Sequence, residues 1–194
     1  MSDYDEKDWS DVMPLRVCID AGHGGNDRGA VNGKRYEKDD TLRLALLVGK
    51  TLRQNGVDVV YTRTDDIYSS PANKAKITNL LKADYLLCIH RNGSFSKKNS
   101  GIKTYVYNKK GMKYKIATTM NDNVAAIGFC NNGVRTGKTL AVLNRTNMHA
   151  ILISIGYITN DNDNKLFDSR FDEIANTVAK SFLETLGLTY KTSE

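Results

Sequence analysis

Short apolar runs alternate along the chain with longer segments in which apolar residues recur at helical spacing. The short runs predict strands over residues 15–20, 57–62, 85–90, 101–107, 140–143 and 150–155. The longer segments predict helices over residues 37–54, 113–128 and 171–186, and a further helix that begins at Pro71. In that further helix, the residues expected to face the core are Ala75, Ile77, Leu80 and Leu81. Strands that alternate with helices are typical of an α/β fold with a mainly parallel sheet.

The length and composition suit one compact domain. The 194 residues are 40% hydrophobic and 26% charged, which is sufficient for a single core. We assign residues 14–190 to this domain and residues 191–194 to a tail. Residues 1–13 are rich in acidic side chains, and we interpret them as a flexible lead. The alternative is that this lead lies over a basic surface and regulates access.

The cysteines and the start of the chain bear on its cellular compartment. Cys18, Cys88 and Cys130 form neither an even set nor a C-x-x-C pair, so we interpret them as reduced core residues rather than metal or redox residues. No apolar stretch approaches the roughly 18 residues of a membrane span. The start of the chain is acidic, whereas a secretory signal is basic and then apolar, so export by a cleaved signal is not expected.

The net charge of +6 and the pI of about 9.1 favour polyanionic surroundings. Nucleic acid, anionic lipid and a bacterial wall rich in phosphate polymers all fit this charge. Because no recognised motif of basic and aromatic residues is present, nucleic-acid binding is not expected.

Two histidines and a glutamate form a candidate metal site. His23 and His90 each follow an apolar run, so both imidazoles are expected at the carboxyl ends of parallel strands, where open α/β sheets place their active sites. Glu37 opens the helix after the first strand. Two histidines and one carboxylate leave the fourth position of a zinc ion free for water or substrate, which is typical of a catalytic site. Alternatively, the histidines are loop or core residues. Glu37 is also favoured at a helix N-terminus by the dipole, which is compatible with metal ligation.

Four ordered motifs run along the chain. They are DAGHGG from Asp20 to Gly25, EKD from Glu37 to Asp39, CIHRN from Cys88 to Asn92, and AILISIGYITN from Ala150 to Asn160. With these motifs, roughly residues 15–187 resemble the zinc-dependent N-acetylmuramoyl-L-alanine amidases of the amidase-3 type. The resemblance implies a single-domain α/β fold whose twisted, mostly parallel six-stranded sheet is flanked by helices on both faces. It also implies one Zn²⁺ ion on His23, Glu37 and His90. The implied reaction is hydrolysis of the amide between N-acetylmuramic acid and the L-alanine of the peptidoglycan stem peptide.

The chain departs from the family pattern at Ser154. The resemblance places there a glutamate that acts as general base, and a serine hydroxyl is a poor proton acceptor at neutral pH. Loss of a general base typically lowers the rate by about 10² to 10⁴. His149 is the nearest titratable side chain in sequence, but an offset of five along a strand directs the two side chains to opposite faces. A natural loss, an engineered substitution and a divergent subgroup are all compatible with Ser154.

Two further residues are candidates for substrate binding. Asn92 follows His90 and either shapes the loop or contacts substrate. Arg135 is expected on a loop near the strand ends, where it either meets carboxylates of the stem peptide or remains a solvated charge.

Three functions remain open at this point. The chain is a peptidoglycan amidase, a zinc-bearing pseudoenzyme that binds wall fragments or an active partner, or a zinc hydrolase of another amide. For the amidase, we expect a monomer that acts on the bacterial cell wall, with a protein partner possible. The lack of a signal fits a phage lysin, an effector delivered by a dedicated machine, or a wall enzyme whose signal has been removed.

Overall fold

The fold is a six-stranded sheet with helices packed on both of its faces. The computed structural model describes residues 14–192, so the predicted lead over residues 1–13 and the last two residues of the predicted tail lie outside it. The strands are β1 (Arg16–Ala21), β2 (Val31–Asn32), β3 (Arg35–Tyr36), β4 (Asp58–Tyr61), β5 (Tyr85–Asn92), β6 (Ile102–Val106), β7 (Asn131–Thr136) and β8 (His149–Tyr157). The helices are α1 (Glu37–Gln54), α2 (Pro71–Leu80), α3 (Gly111–Ala125), α4 (Ala141–Asn144), α5 (Asp161–Ser169) and α6 (Phe171–Thr185).

The strand order in the main sheet is β4-β1-β5-β8-β6-β7. Strands β4, β1, β5 and β8 pair in parallel, whereas β6 runs antiparallel to β8 and parallel to β7. The predicted mostly parallel six-stranded sheet is therefore confirmed. Strands β2 and β3 form a separate two-stranded hairpin just before α1.

Each face of the sheet carries its own apolar core. On β5, Leu87 and Ile89 face a large core that also receives apolar side chains from α1, α3 and α6. Leu86 and Cys88 alternate with them and face a smaller core that contains Val142 of α4. Such alternation follows from the two-residue repeat of a strand, and it leaves the central strands apolar on both faces. The predicted helices on both faces are confirmed.

The predicted strand over residues 140–143 is wrong, because Ala141–Asn144 forms the short helix α4. A brief apolar run does not distinguish a buried strand from a turn of buried helix. The sixth strand of the sheet is instead β7, in which Val134 alone is buried. Its polar composition gives a weak strand signal, and an edge strand does not require the apolar residues of a central one.

Helix α2 begins at Pro71 and buries Ala75 as predicted, but Leu80 does not face the core. Leu80 is 71% exposed, whereas Lys74, Ala75 and Thr78 are buried. Lys74 is tolerated in the interior because its ammonium lies 2.9 Å from Asp20 Oδ1. The prediction that Leu80 packs in the core is therefore wrong.

Two further expectations concern the cysteines and the membrane. Cys18 and Cys88 are free and buried, as predicted, whereas Cys130 is exposed and is not a core residue. Within residues 14–192, none of the helices combines the length and apolar character needed to span a bilayer.

Candidate metal site at the carboxyl edge of the sheet

The three predicted metal ligands meet at one edge of the sheet. His23 lies in the loop after β1, Glu37 is the first residue of α1, and His90 lies near the end of β5. One potential ligand atom from each residue lies within 4.8 Å of the other two. This edge is formed by the carboxyl ends of parallel strands, the position that the sequence predicted.

Close packing of the loop after β1 brings the two imidazoles together. A Cβ atom on Gly22 would lie 2.4 Å from Cε1 of His90, so the His90 ring occupies the space that a side chain at position 22 would need. The rings of His23 and His90 are 5.0 Å apart in an edge-to-face arrangement. Arg63 secures the loop by donating hydrogen bonds to the carbonyl oxygens of Ala21 and Gly22, at 3.0 and 2.9 Å.

The carboxylate of Glu37 is held from four sides. Oε1 accepts a hydrogen bond from the backbone N–H of Arg91 at 2.9 Å and lies 3.0 Å from Nδ1 of His90. Oε2 accepts from the backbone N–H of Ala30 at 2.9 Å and lies 3.2 Å from Nε2 of His23. Burial alone would raise the pKa of Glu37, but the two histidines outweigh it and hold the pKa well below its usual range. Glu37 is therefore ionised, as a metal ligand must be.

Asp27 orients His23 from the opposite side of its ring. Oδ2 of Asp27 lies 2.9 Å from Nδ1 of His23, which directs Nε2 of the same ring toward Glu37. Burial lowers the pKa of His23, but Glu37 and Asp27 together outweigh it and raise this pKa above its ordinary value of 6.5. A carboxylate behind a histidine is a common support for a metal ligand. Sequence reasoning missed Asp27, although an acidic residue four positions after a histidine in a glycine-rich loop was a usable signal.

A buried ion pair supports the site from beneath. Nη1 of Arg91 lies 2.5 Å from Oδ2 of Asp40, and the two side chains are 1% and 6% exposed. Arg91 also donates to Oδ1 of Asn164 at 2.8 Å and lies 4.0 Å above the ring of Phe167. Because Asp40 is one turn after Glu37 in α1, this pair ties β5 to the turn that carries the carboxylate. Sequence reasoning did not identify it, since Asp40 and Arg91 are 51 residues apart.

Ser154 lies in a cavity beside the three candidate ligands. It is the register partner of His90 on β5 and of Lys103 on β6, and it is 5% exposed. The cavity has a volume of about 400 Å³ and is also lined by Tyr105 and Leu152. Among the described residues that line it, Glu37 is the one carboxylate.

His149 lies away from Ser154 and from the three candidate ligands. It lies at the beginning of β8, five residues before Ser154, which is about 17 Å along an extended strand. Its exposed ring packs against Tyr85, with 5.3 Å between the ring centroids.

The two predicted substrate-binding residues differ in their placement. Asn92 lines the cavity, and its Nδ2 donates to the carbonyl oxygen of Ser154 at 3.2 Å, so it ties β5 to β8 as well. Arg135 lies on strand β7 rather than on the predicted loop, is exposed, and is the register partner of Tyr105. Its neighbour Thr136 lines the cavity, whereas Arg135 lies outside the lining.

A sheet that presents two imidazoles and a carboxylate at its carboxyl edge is typical of α/β metallohydrolases. Residues 17–184 match the family described as N-acetylmuramoyl-L-alanine amidase. The chain therefore belongs to this amidase-3 family, as its motifs indicated.

Relatives in sequence and structure agree with this assignment. The chain is 33% identical over 160 residues to the probable cell wall amidase LytH of Staphylococcus aureus, a match that covers 81% of this chain and 53% of LytH. The chain thus spans about half the length of the curated relatives that it matches. The catalytic domain of CwlV, an amidase from Bacillus (Paenibacillus) polymyxa var. colistinus, superposes with a TM-score of 0.83 at 35% identity, covering 91% of this chain and 100% of the other. The N-acetylmuramoyl-L-alanine amidase from Clostridium difficile 630 superposes with a TM-score of 0.82 at 32% identity. This match covers 90% of this chain and 97% of the other.

Proposed function

We propose that the chain is a zinc-dependent peptidoglycan amidase domain whose turnover is slowed by Ser154. Its substrate is the amide between N-acetylmuramic acid and the L-alanine of the stem peptide. The observation that carries this proposal is the convergence of His23, Glu37 and His90 beside a cavity of about 400 Å³, in a chain of the amidase family.

The donor set fits one zinc ion. Two imidazoles and one carboxylate are ligands that catalytic zinc uses, and they leave a coordination position for water or substrate. The low pKa of Glu37 keeps its carboxylate ionised. Asp27 holds His23 with one ring nitrogen directed toward Glu37. When bound, zinc acidifies a coordinated water and polarises a carbonyl group.

Among the described residues that line the cavity with Ser154, the candidate ligand Glu37 is the one carboxylate, so this cavity offers no separate efficient acceptor for the proton transfer. Hydrolysis of an amide requires that a proton pass from the attacking water to the leaving amine. Ser154 provides a hydroxyl where the family resemblance places a glutamate, and a hydroxyl does not accept this proton at neutral pH. The expected loss is about 10² to 10⁴ in rate, with binding of the substrate retained.

Asn92 and Arg135 are proposed to contact the substrate at different depths. Asn92 lines the cavity next to His90, where its amide can meet the peptide part of the substrate. Arg135 is exposed and precedes Thr136, which lines the cavity. From there its guanidinium can meet a carboxylate farther along the stem peptide.

A second candidate is a zinc-bearing protein that binds peptidoglycan without cleaving it and acts with a protein partner. The observation in its favour is the lack of any carboxylate other than Glu37 among the described residues that line the cavity. Both candidates act on the bacterial cell wall.

Zinc content and release of stem peptide from purified peptidoglycan test the proposal. Slow release with about one zinc per chain, abolished by Glu37→Gln, supports the slow amidase. One zinc without release, together with retained binding of muropeptide, supports the second candidate. Failure to bind zinc would overturn both. His149→Ala is the control for loss of an imidazole, because His149 lies far from the site.

A further inference from the structure

The charge of the chain is concentrated in one part of the sequence. Residues 85–160 hold 11 of the 28 lysines and arginines but one of the 22 acidic residues, a net charge of +10. The other 118 residues hold 17 basic and 21 acidic side chains and are net negative. The overall charge of +6 is therefore smaller than the positive charge that residues 85–160 carry by themselves.

This basic segment forms one side of the molecule. It supplies β6 and β7, which are the last two strands at one edge of the sheet, together with α3 and α4. Strand β4 and helix α1 belong to the opposite side of the sheet and lie outside the segment. We call residues 93–148 the basic half.

The cations of the basic half are free to meet a ligand. Of the basic residues within 85–160, Arg91 alone forms an ion pair with a described residue, and it is buried outside the basic half. The others have no carboxylate within ion-pair distance among residues 14–192. Most are exposed, including Lys97 and Lys98 after β5, Arg135 and Lys138 around the end of β7, and Arg145 after α4.

Four lysines surround the beginning of α3. Lys109, Lys110, Lys113 and Lys115 fall within seven residues, and the first turn of α3 contains no acidic side chain. Beside them, Tyr107 and Lys113 line a groove of about 180 Å³ whose other wall comes from α4 and β8. This groove is separate from the cavity that contains Ser154.

The basic half also reaches the candidate metal site. Thr136, Gly137 and Thr139 line the cavity beside His90, and they are interleaved with the exposed Arg135 and Lys138. A ligand on the basic half would therefore lie next to a substrate in the cavity.

We propose that the basic half is a docking surface for an anionic cell-wall polymer of phosphodiester-linked units. This rests on the proposed function, because a domain that acts on peptidoglycan works beside the other polymers of the wall. Lysine ammonium groups are point charges that suit repeated phosphates without base recognition. Such attraction is long-ranged and weakens with salt.

The experiment measures binding of fluorescently labelled poly(glycerol phosphate) to the full chain by anisotropy at several salt concentrations. Lysines 109, 110, 113 and 115 are replaced together by glutamine. The matched control replaces Lys34, Lys50, Lys76 and Lys165, which are exposed, lie outside the basic half and form no ion pair with a described residue. Both variants lose four positive charges, so an effect of net charge alone would weaken polymer binding equally in both.

The expected result is a loss of about tenfold or more in affinity for the first variant, with a shallower salt dependence, and a change below about twofold for the control. Equal losses in both variants would overturn the proposal. Tighter binding of single-stranded DNA of equal charge, or of phosphatidylglycerol vesicles with no binding of the polymer, would also overturn it. Zinc content and muropeptide binding, measured in the same variants, report on the proposed function separately, because none of the substituted lysines lies at the metal site.

Discussion

His90 and Ser154 are direct register partners on the parallel strands β5 and β8. Their side chains emerge on the same face of the sheet, since directly paired residues share a face. On the other side of Ser154, Lys103 of β6 is its antiparallel partner. Position 154 is thus adjacent to a candidate ligand and lines the same cavity.

Replacing Ser154 with glutamate is expected to raise the rate of stem-peptide release by about 10² or more, because a carboxylate at this position can accept the proton. A positive neighbour favours the ionised form of a carboxylate, and Lys103 provides one. The measurement is release from purified peptidoglycan at equal zinc occupancy. Ser154→Gln is the control, because the glutamine side chain has nearly the size of glutamate but lacks a carboxylate that can accept the proton. An equal gain in both variants, or none in either, would contradict the proposal that a general base at position 154 limits the rate.

Removing any of the three candidate ligands should abolish stoichiometric zinc. His90→Ala and Glu37→Gln each leave two ligands, too few to hold the ion firmly. His149→Ala should keep about one zinc per chain, because its ring packs against Tyr85 at the far end of β8. Elemental analysis after dialysis measures the outcome, and zinc retained by His90→Ala would rule out the proposed ligand set.

Asp27→Asn should weaken zinc binding about 10- to 100-fold and change its pH dependence. Zinc competes with a proton on His23, so affinity rises with pH through the raised pKa of this residue and then levels off. Loss of the Asp27 charge lowers that pKa, so affinity should level off at a lower pH in the variant. Competition with a chelator between pH 5 and 8, the range about the ordinary histidine pKa, measures both effects. An unchanged profile would show that Asp27 does not support His23.

Arg91→Met should lower the free energy of unfolding by about 3 kcal/mol, because it leaves Asp40 buried with one fewer cation. Arg35 remains 2.7 Å from the same carboxylate and limits the loss. Lys180→Met breaks an exposed pair with Glu184 and should cost less than about 0.5 kcal/mol. Urea unfolding of the metal-free chain compares the two. Equal decreases in the free energy of unfolding would contradict the expectation that the buried Arg91–Asp40 pair stabilises the fold more than the exposed Lys180–Glu184 pair does.

The sequence predicted the parts of the fold and site that depend on local pattern. Central strands such as β1 and β5 contain unbroken apolar runs, and α1 has clear helical spacing, so His23, Glu37 and His90 could be placed at strand and helix ends. Strand β7 could not be found in this way, because an edge strand needs few apolar residues.

Contacts between distant segments were beyond local reasoning. The pairing of Arg91 with Asp40 joins a strand to a helix, and burial of Lys74 depends on Asp20, which lies on another element. In both cases a charged residue that reads as solvent-exposed is buried because of a partner far along the chain.

The fit of the His90 ring against Gly22 makes assembly of the site depend on folding of the sheet. The candidate metal-binding atoms come from three segments, and Glu37 and His90 are 53 residues apart, so the chain between them must fold before both reach the same point. An unfolded or partly folded chain would bind the ion weakly, so zinc, if bound as proposed, would favour the folded sheet and shift the folding equilibrium toward it by mass action. Scarcity of zinc would then shorten the lifetime of the protein as well as limit its chemistry.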